Sequence, residues 1–319
     1  MTFAFPLADR FQALADPTRL RIVQLLRAME LSVGELAQIL GQSQPRVSRH
    51  LKVLADVRVV ERRKEGSWVF LTLCNPVDAE PLFALIDGWC DGAATLQFAA
   101  DAARTEAIRA ERAEAANRYF ASHAEVWDQI RSLHVAESEV ERAIDQALGP
   151  RPLGELVDIG TGTGRMIELF GPRAAHAIGI DRSSDMLRVA RVKLEAAGIA
   201  SSLRQGDMYA LPLADGCADN VVIHQVLHYA HSPASAVAEA ARVLGPGGTL
   251  LVVDFAAHER EELRVRDAHI RLGFEDEAMA GWFSGAGLTL DLVEHLEGGE
   301  LTVTLWRGIK AAERQRRAA

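Results

Sequence analysis

Cysteine is scarce in this 319-residue chain: Cys74, Cys90 and Cys217 lie 16 and 127 residues apart, with no Cys-x-x-Cys pair. An odd number at such spacing excludes a disulfide framework and a four-cysteine zinc site, and points to a reducing, cytoplasmic setting. Long apolar runs are missing as well. No stretch reaches the ~18 residues that a membrane-spanning helix needs, so no membrane partner is expected. Met1 to Arg10 lacks a basic stretch followed by an apolar one, so no secretory leader is expected. Internal repeats are absent, and the one biased stretch, Arg314-Gln315-Arg316-Arg317, reads as a solvated tail. With 49% hydrophobic and 25% charged residues, the composition excludes collagen-like and wholly disordered chains. At ~150 residues per domain the length suggests two domains, each able to bury a core.

Two textures divide the chain. Residues 1–92 show short helical patterns followed by one alternating strand pair, whereas residues 151–310 alternate short apolar runs ending in Gly or Asp with helical stretches. The latter alternation marks a parallel sheet covered by helices. Between them, 93–150 is a connector: Ala93 to Leu148 holds neither Gly nor Pro and reads as one or two long helices, ending at Gly149-Pro150-Arg151-Pro152. Residues 311–319 form the basic tail.

In the first region Asp16-Pro17-Thr18 opens a helix in which Leu20, Val23 and Leu26 recur at helical spacing. Ser32-Val33-Gly34-Glu35 is a capping box that starts a second helix through Leu40. Gly41-Gln42 makes a tight turn, and Ser43 is expected to cap a third helix with Pro45 in its first turn. There Val47, Leu51 and Leu54 form the apolar stripe; Arg49 and Lys52 point the opposite way, with Arg46, Ser48 and His50 on the flanks. An apolar back and a basic, hydrogen-bonding front suit insertion into a DNA major groove. Val59 to Arg63 and Ser67 to Leu73 then bracket the turn Lys64-Glu65-Gly66, a hairpin with a basic tip. Between Ser43 and Glu65 seven Arg and Lys stand against three acids, a local +4 in a chain of net charge −9, so the remainder carries −13. Such an island in an acidic molecule is a focused phosphate-binding surface.

These residues resemble the winged helix-turn-helix of ArsR-type bacterial repressors over roughly residues 7 to 90, through the segments beginning at Asp16, Ser32 and Ser43. The resemblance implies a homodimer on a palindromic double-stranded DNA operator, with the two recognition helices ~34 Å apart. It assigns DNA contacts to Ser43, Gln44, Arg46, Ser48, Arg49, His50 and Lys52 on the helix and to Arg62, Arg63 and Lys64 on the wing. Many such repressors sense metals. Here Val33 to Leu40 contains no Cys, and the segment after Pro81 offers only Asp87. No metal is therefore expected, since soft metals need clustered thiolates or imidazoles. Cys74 and Cys90 are expected to be buried small hydrophobes.

In the second region Leu156-Val157-Asp158-Ile159 runs into Gly160-Thr161-Gly162-Thr163-Gly164, a strand entering a glycine turn where backbone can approach a ligand. A second strand, Ala177 to Asp181, ends in an acid 21 residues after Gly160, placed for ribose hydroxyls. A third element, Leu203 to Met208, ends in Asp207, placed for an adenine amino group. Three polar strand ends meeting at one carboxyl edge mark a ligand site of a doubly wound sheet. A nicotinamide dehydrogenase would use the first two, less naturally the third.

These motifs, with Leu211-Pro212, Val226-Leu227-His228-Tyr229 and Arg242 to Leu250, resemble the class I S-adenosylmethionine-dependent methyltransferases from about Asn117 to Lys310, with Leu288 to Leu290 and Leu301 to Leu305 as the last strands. The fold implied is multidomain, a winged helix-turn-helix joined by long helices to an α/β Rossmann-like domain. The resemblance implies S-adenosylmethionine or S-adenosylhomocysteine as ligand. Asp158 would orient the methionine amine through water, and Gly160, Gly162 and Gly164 would line the amino-acid moiety. Asp181 would hold the ribose, Asp207 and Met208 would flank the adenine, and Arg182, Met186 and His224 would complete the set. His224, Gln225, His228, Tyr229 and His231 cluster after the fourth strand, where His228 or Tyr229 would serve as a base or shape the pocket without chemistry. No Asn-Pro-Pro-Tyr motif appears, which disfavours methylation of bases in DNA, and Cys217 alone disfavours arsenic methylation. The leading expectation is a repressor whose methyltransferase-like domain takes a small-molecule effector. Its rival is an active small-molecule methyltransferase with an autoregulatory DNA-binding domain.

Overall fold

The computed structural model describes residues 7–65, 68–74, 76–89, 92–123, 136–297 and 299–312. The chain divides into two units, Met1–Glu114 and Ala115–Ala319. Cys90, the tail from 313 on and part of the expected connector, 124–135, lie outside the described residues. Among those described, no helix is long and apolar enough to cross a membrane.

The first unit begins with α1 (Leu7–Leu14) and α2 (Pro17–Ala28), the latter capped by the Asp16 side chain, which accepts the Arg19 N–H at 3.0 Å. A two-residue strand β1 (Leu31–Ser32) leads into α3 (Val33–Leu40). The capping box forms as the sequence predicts: Ser32 Oγ accepts the Glu35 N–H and the Glu35 carboxylate accepts the Ser32 N–H. Gly41, at φ 64°, ends the helix in a left-handed conformation that other residues adopt at a cost. In α4 (Gln44–Asp56) Val47, Leu51 and Leu54 are buried, the stripe the spacing predicts. Ser43 occupies the N-cap position, yet its hydroxyl makes no cap bond. Pro45 has no N–H to offer, and the Arg46 N–H is taken by the Ser43 carbonyl.

The strands β2 (Val60–Glu65) and β3 (Trp68–Leu73) form the wing, with β1 on the other side of β3. Lys64 and Glu65, expected in the turn, instead pair with Val69 and Trp68, so the ladder runs two residues further than predicted. Cys74 is exposed, contrary to expectation. Leu71 and Leu73 face the core, and period-2 alternation sends Cys74 the other way. The helix α5 (Pro76–Trp89) contains Pro81 in its interior and starts five residues before it. It is followed by α6 (Gly92–His123), inside which the two units divide. The first part of α6 is tied to α2 by Asp101, which is 2% exposed and accepts Arg21 Nε at 2.6 Å and Nη2 at 2.8 Å.

The second unit is a seven-stranded sheet. Its elements are α7 (Glu137–Leu148), β4 (Gly154–Ile159), α8 (Arg165–Phe170), β5 (Ala174–Asp181), α9 (Ser184–Ala196), β6 (Ser202–Gln205), β7 (Ala218–His224), α10 (Pro233–Val243), β8 (Leu244–Phe255), α11 (Glu262–Arg266), α12 (Asp276–Gly285), β9 (Leu288–Leu296) and β10 (Val303–Lys310). The order is β6-β5-β4-β7-β8-β10-β9. The five strands from β6 to β8 are parallel, and β10 runs antiparallel to both neighbours. Alternate residues feed two cores: Val157, Ile159, Val221 and Ile223 pack with α10 and α12, while Leu156, Val222, Leu251 and Val253 pack with α7 and α8. Helices on both faces are what an apolar parallel sheet requires. The strand order reverses between β4 and β7, and the crevice outside the carboxyl ends there is the natural ligand position.

Candidate functional site

Strand register aligns the predicted residues along that edge. Ile159 pairs with Ile180 on one side and Ile223 on the other; Asp181 pairs with Gln205 and His224 with Val253. Gly160, Asp181, Gly206, His224 and Asp254 therefore stand along the same edge, on or just after five adjacent parallel strands.

Asp181 organises the glycine turn. Its Oδ2 accepts the Gly162 N–H at 2.8 Å and its Oδ1 the Ser183 N–H at 2.8 Å. Burial pushes its carboxyl above the usual carboxylate range, opposed by the N–H groups of Ser183, Gly162 and Arg182. Gly160 has φ 72° and donates to the Ile180 carbonyl at 2.7 Å. A Cβ there would stand 2.6 Å from Val226 Cγ2, so the turn lies against the loop after β7 because it is glycine. Gly162 and Gly164 also have positive φ, and Gly164 is the N-cap of α8. Asp158 is buried in β4 beneath this turn. Asp207 accepts the Tyr209 N–H at 3.0 Å, and Met208 packs half-buried against the core. Arg182 is exposed at the end of β5; Met186 is buried in the first turn of α9.

After β7 the chain turns sharply: Gln225 has φ 49°, uncommon for a residue with a side chain. His224 is half-buried, whereas His228 and Tyr229 are buried with ring centroids 4.1 Å apart. Of these two expected bases, His228 faces a carboxylate: its Nδ1 lies 2.8 Å from Asp254 Oδ1. Asp254 was not singled out by the sequence reading, although it stands one residue before the end of an apolar strand, as Asp158 does. Two further buried groups were also missed: His269, stacked at 17° on Phe255, and Arg271, which donates to the carbonyls of Ala230 and His231. They sit in an irregular segment with no periodic signal. Among the described residues, no group of three or more His, Cys, Asp or Glu is placed to hold a metal ion.

On the first unit the exposed face of α4 carries Gln44, Arg46, Arg49 and Lys52, with Ser43 exposed at its start and Ser48 half-buried. Arg62 is exposed and reaches back to the Ser48 carbonyl at 3.2 Å, joining wing and helix. His50 is half-buried, in keeping with a place on the flank of the helix, and its Nδ1 lies 3.7 Å from Asp16 Oδ1. The side chains of Arg63 and Lys64 lie outside the described residues.

Comparison with known proteins adds two matches. Residues 16–62 match the model of the bacterial regulatory proteins of the arsR family, and residues 157–252 match a methyltransferase domain. The arsenical resistance operon repressor of Escherichia coli is 40% identical over 90 residues, 28% of this chain and 76% of that protein. The demethylmenaquinone methyltransferase of Thermus thermophilus is 38% identical over 116 residues, 36% of this chain and 52% of that protein. The chain thus spans about half the length of the first curated relative it matches. A chain in the complex of the Haloferax volcanii Trm112 methyltransferase activator with a methyltransferase shares the fold, with a TM-score of 0.50, 20% identity, and coverage of 60% of this chain and 97% of that one.

A methyltransferase domain implies S-adenosylmethionine binding, and the donor set fits it. A glycine turn with three residues of positive φ, Gly160, Gly162 and Gly164, beside a half-buried carboxylate at the end of β5 is what a nucleoside with an amino-acid tail demands.

Proposed function

As the chain belongs to the arsR family of bacterial regulatory proteins and carries a methyltransferase domain, we propose that it is a transcriptional repressor whose operator affinity is set by S-adenosylmethionine or S-adenosylhomocysteine. The observation that carries this reading is the coexistence, on one polypeptide, of an exposed basic helix α4 and a preorganised edge around Asp181. Arg49 and Lys52 would enter the major groove, with Gln44 and Arg46 beside them, and Arg62, Arg63 and Lys64 would meet phosphates. Two copies would read a palindrome, each placing one α4.

At the ligand edge Asp181 would accept the ribose hydroxyls, with the glycine turn against the amino-acid moiety. Asp158 would act beneath it, and Asp207 and Met208 would lie at the base. Arg182, Met186 and His224 border these positions. The ligand supplies an activated methyl group when it is the donor and none when it is the product. An effector must bind the DNA-competent and DNA-incompetent states unequally. The test is fluorescence anisotropy on the chain's own upstream region, titrated separately with each ligand. A several-fold change in operator affinity with one of them is expected. Both ligands binding with no effect on operator affinity would refute the regulatory reading.

A further inference from the structure

The buried pair His228–Asp254 is more than a nucleotide site needs. Asp254 is fully buried, and its carboxylate already accepts the Phe255 N–H at 2.8 Å and the His228 N–H at 3.2 Å. Those bonds alone would tie the end of β8 to the loop after β7. The imidazole is added to them: His228 Nδ1 lies 2.8 Å from Oδ1, and an Nδ1–H donated to that carboxylate leaves Nε2 as the nitrogen that can take a proton. A carboxylate held in this way fixes the tautomer and stabilises the imidazolium that forms when Nε2 takes a proton.

The surroundings lock the ring in place. The carbonyl of His228 accepts the N–H groups of Ile270 and Arg271, at 3.1 and 2.9 Å, and the buried Arg271 guanidinium holds the carbonyls of Ala230 and His231. Aromatic rings wall the imidazole: Tyr229 at 4.1 Å, His269 at 4.2 Å and Phe255 at 5.1 Å between centroids. Gln225, at φ 49°, starts the loop in a conformation that costs free energy, as backbone at functional sites often does.

We propose that His228 is a general base, positioned by Asp254, for a small planar acceptor bearing an acidic hydroxyl of the phenol class. An imidazole is matched to a hydroxyl that ionises not far from neutrality, whereas an aliphatic alcohol is too weak an acid for it. The ring walls favour a flat aromatic partner. In the step, the O–H bond of the acceptor breaks and its proton joins the Nε2 lone pair. The bonding electrons stay on oxygen as a phenolate, and Asp254 balances the imidazolium. The inference rests on the reading of this edge as an S-adenosylmethionine site and is independent of the DNA reading.

4-Nitrophenol is the probe, because only its ionised form absorbs strongly in the visible. The full chain with S-adenosylhomocysteine present is titrated at a pH where the free phenol is mostly neutral. The bound probe is expected to be several-fold more ionised than the free one. His228→Gln should return it to the free value, and Asp254→Asn should lower it while S-adenosylhomocysteine affinity and circular dichroism stay unchanged. Nitrogen NMR of the histidines, with the Gln variant identifying His228, should show the proton on Nδ1. No saturable binding, equal ionisation in wild type and His228→Gln, or a proton on Nε2 would each overturn the proposal. Calorimetry with S-adenosylhomocysteine alone keeps the two readings apart: a chain that binds none refutes the ligand reading, and the phenol titration still decides the base.

Discussion

Replacement of Asp181 separates ligand binding from folding. Its two carboxylate oxygens accept the Gly162 and Ser183 N–H groups at 2.8 Å, one on each oxygen, and the ribose hydroxyls would donate to the same carboxylate. Hydrogen bonds to a charged group contribute about 1.5–3 kcal/mol each, so Asp181→Ala is expected to weaken S-adenosylhomocysteine by about 1.5–3 kcal/mol or more, roughly ten- to hundredfold in Kd. Asp181→Asn keeps one acceptor oxygen and should lose less. Stability moves the other way. Burial holds the Asp181 carboxyl above the usual carboxylate range. A carboxyl whose folded pKa exceeds its unfolded value stabilises the fold fully below the ordinary range, and that contribution is lost as pH rises through the folded value. Ionising the side chain is therefore a burden on the ligand-free protein, and the burden grows as the pH rises. The neutral Asn variant should melt at or above the wild type near pH 7, and wild type should gain on it as the solution is acidified. Calorimetric titration and thermal melts across pH test both halves. Unchanged affinity in Asp181→Ala would remove this residue from the site, and an Asn variant that gains no ground between low and neutral pH would refute the burial argument.

Gly160→Ala places a methyl 2.6 Å from Val226 Cγ2 at a φ of 72°, and should cost about 2–4 kcal/mol in a urea titration of the full chain, since left-handed strain and overpacking add. Asp101→Ala leaves the Arg21 guanidinium without its bidentate partner and should destabilise the first unit by about 3–5 kcal/mol, whereas Arg21→Met with Asp101→Leu should recover most of it; equal losses would contradict the buried-pair argument. Arg49→Ala, on the exposed face of α4, should reduce the preference for operator over unrelated DNA by about 1–3 kcal/mol. By contrast Arg62→Ala should weaken all sequences alike and flatten the salt dependence by about one unit of slope. Anisotropy on both DNAs at several salt concentrations distinguishes the two, and equal losses on every sequence for both variants would count against the groove assignment.

What the sequence made legible was local. The capping box at Ser32 and Glu35, the stripe Val47-Leu51-Leu54 and the glycine turn after β4 depend on residues within one or two turns of each other, and each formed as predicted. Ser43 and the wing turn departed from expectation through detail at the same scale: a proline lacking an N–H, and a ladder that continued because Glu65 found Trp68. Cys74 was misplaced because one step along a strand changes face.

The acids at strand ends show where legibility stops. Asp158, Asp181 and Asp254 carry one signature, an aspartate at the end of an apolar strand or one residue before it, yet their surroundings assign them different tasks. Asp181 ends a strand flanked by two parallel neighbours, so backbone N–H groups of adjoining turns gather on it while it stays half-open to a ligand. Asp254 lies where the sheet changes direction: β7 is its parallel neighbour, and β10, antiparallel, sets Thr304 opposite it. That reversal continues the sheet past the ligand edge and seals Asp254 from water, so its charge must be met from within the protein. His228 meets it from 26 residues away. A carboxylate in that position is better suited to hold a base than to hold a ligand, and the direction of its neighbouring strand, which no short motif encodes, makes the difference.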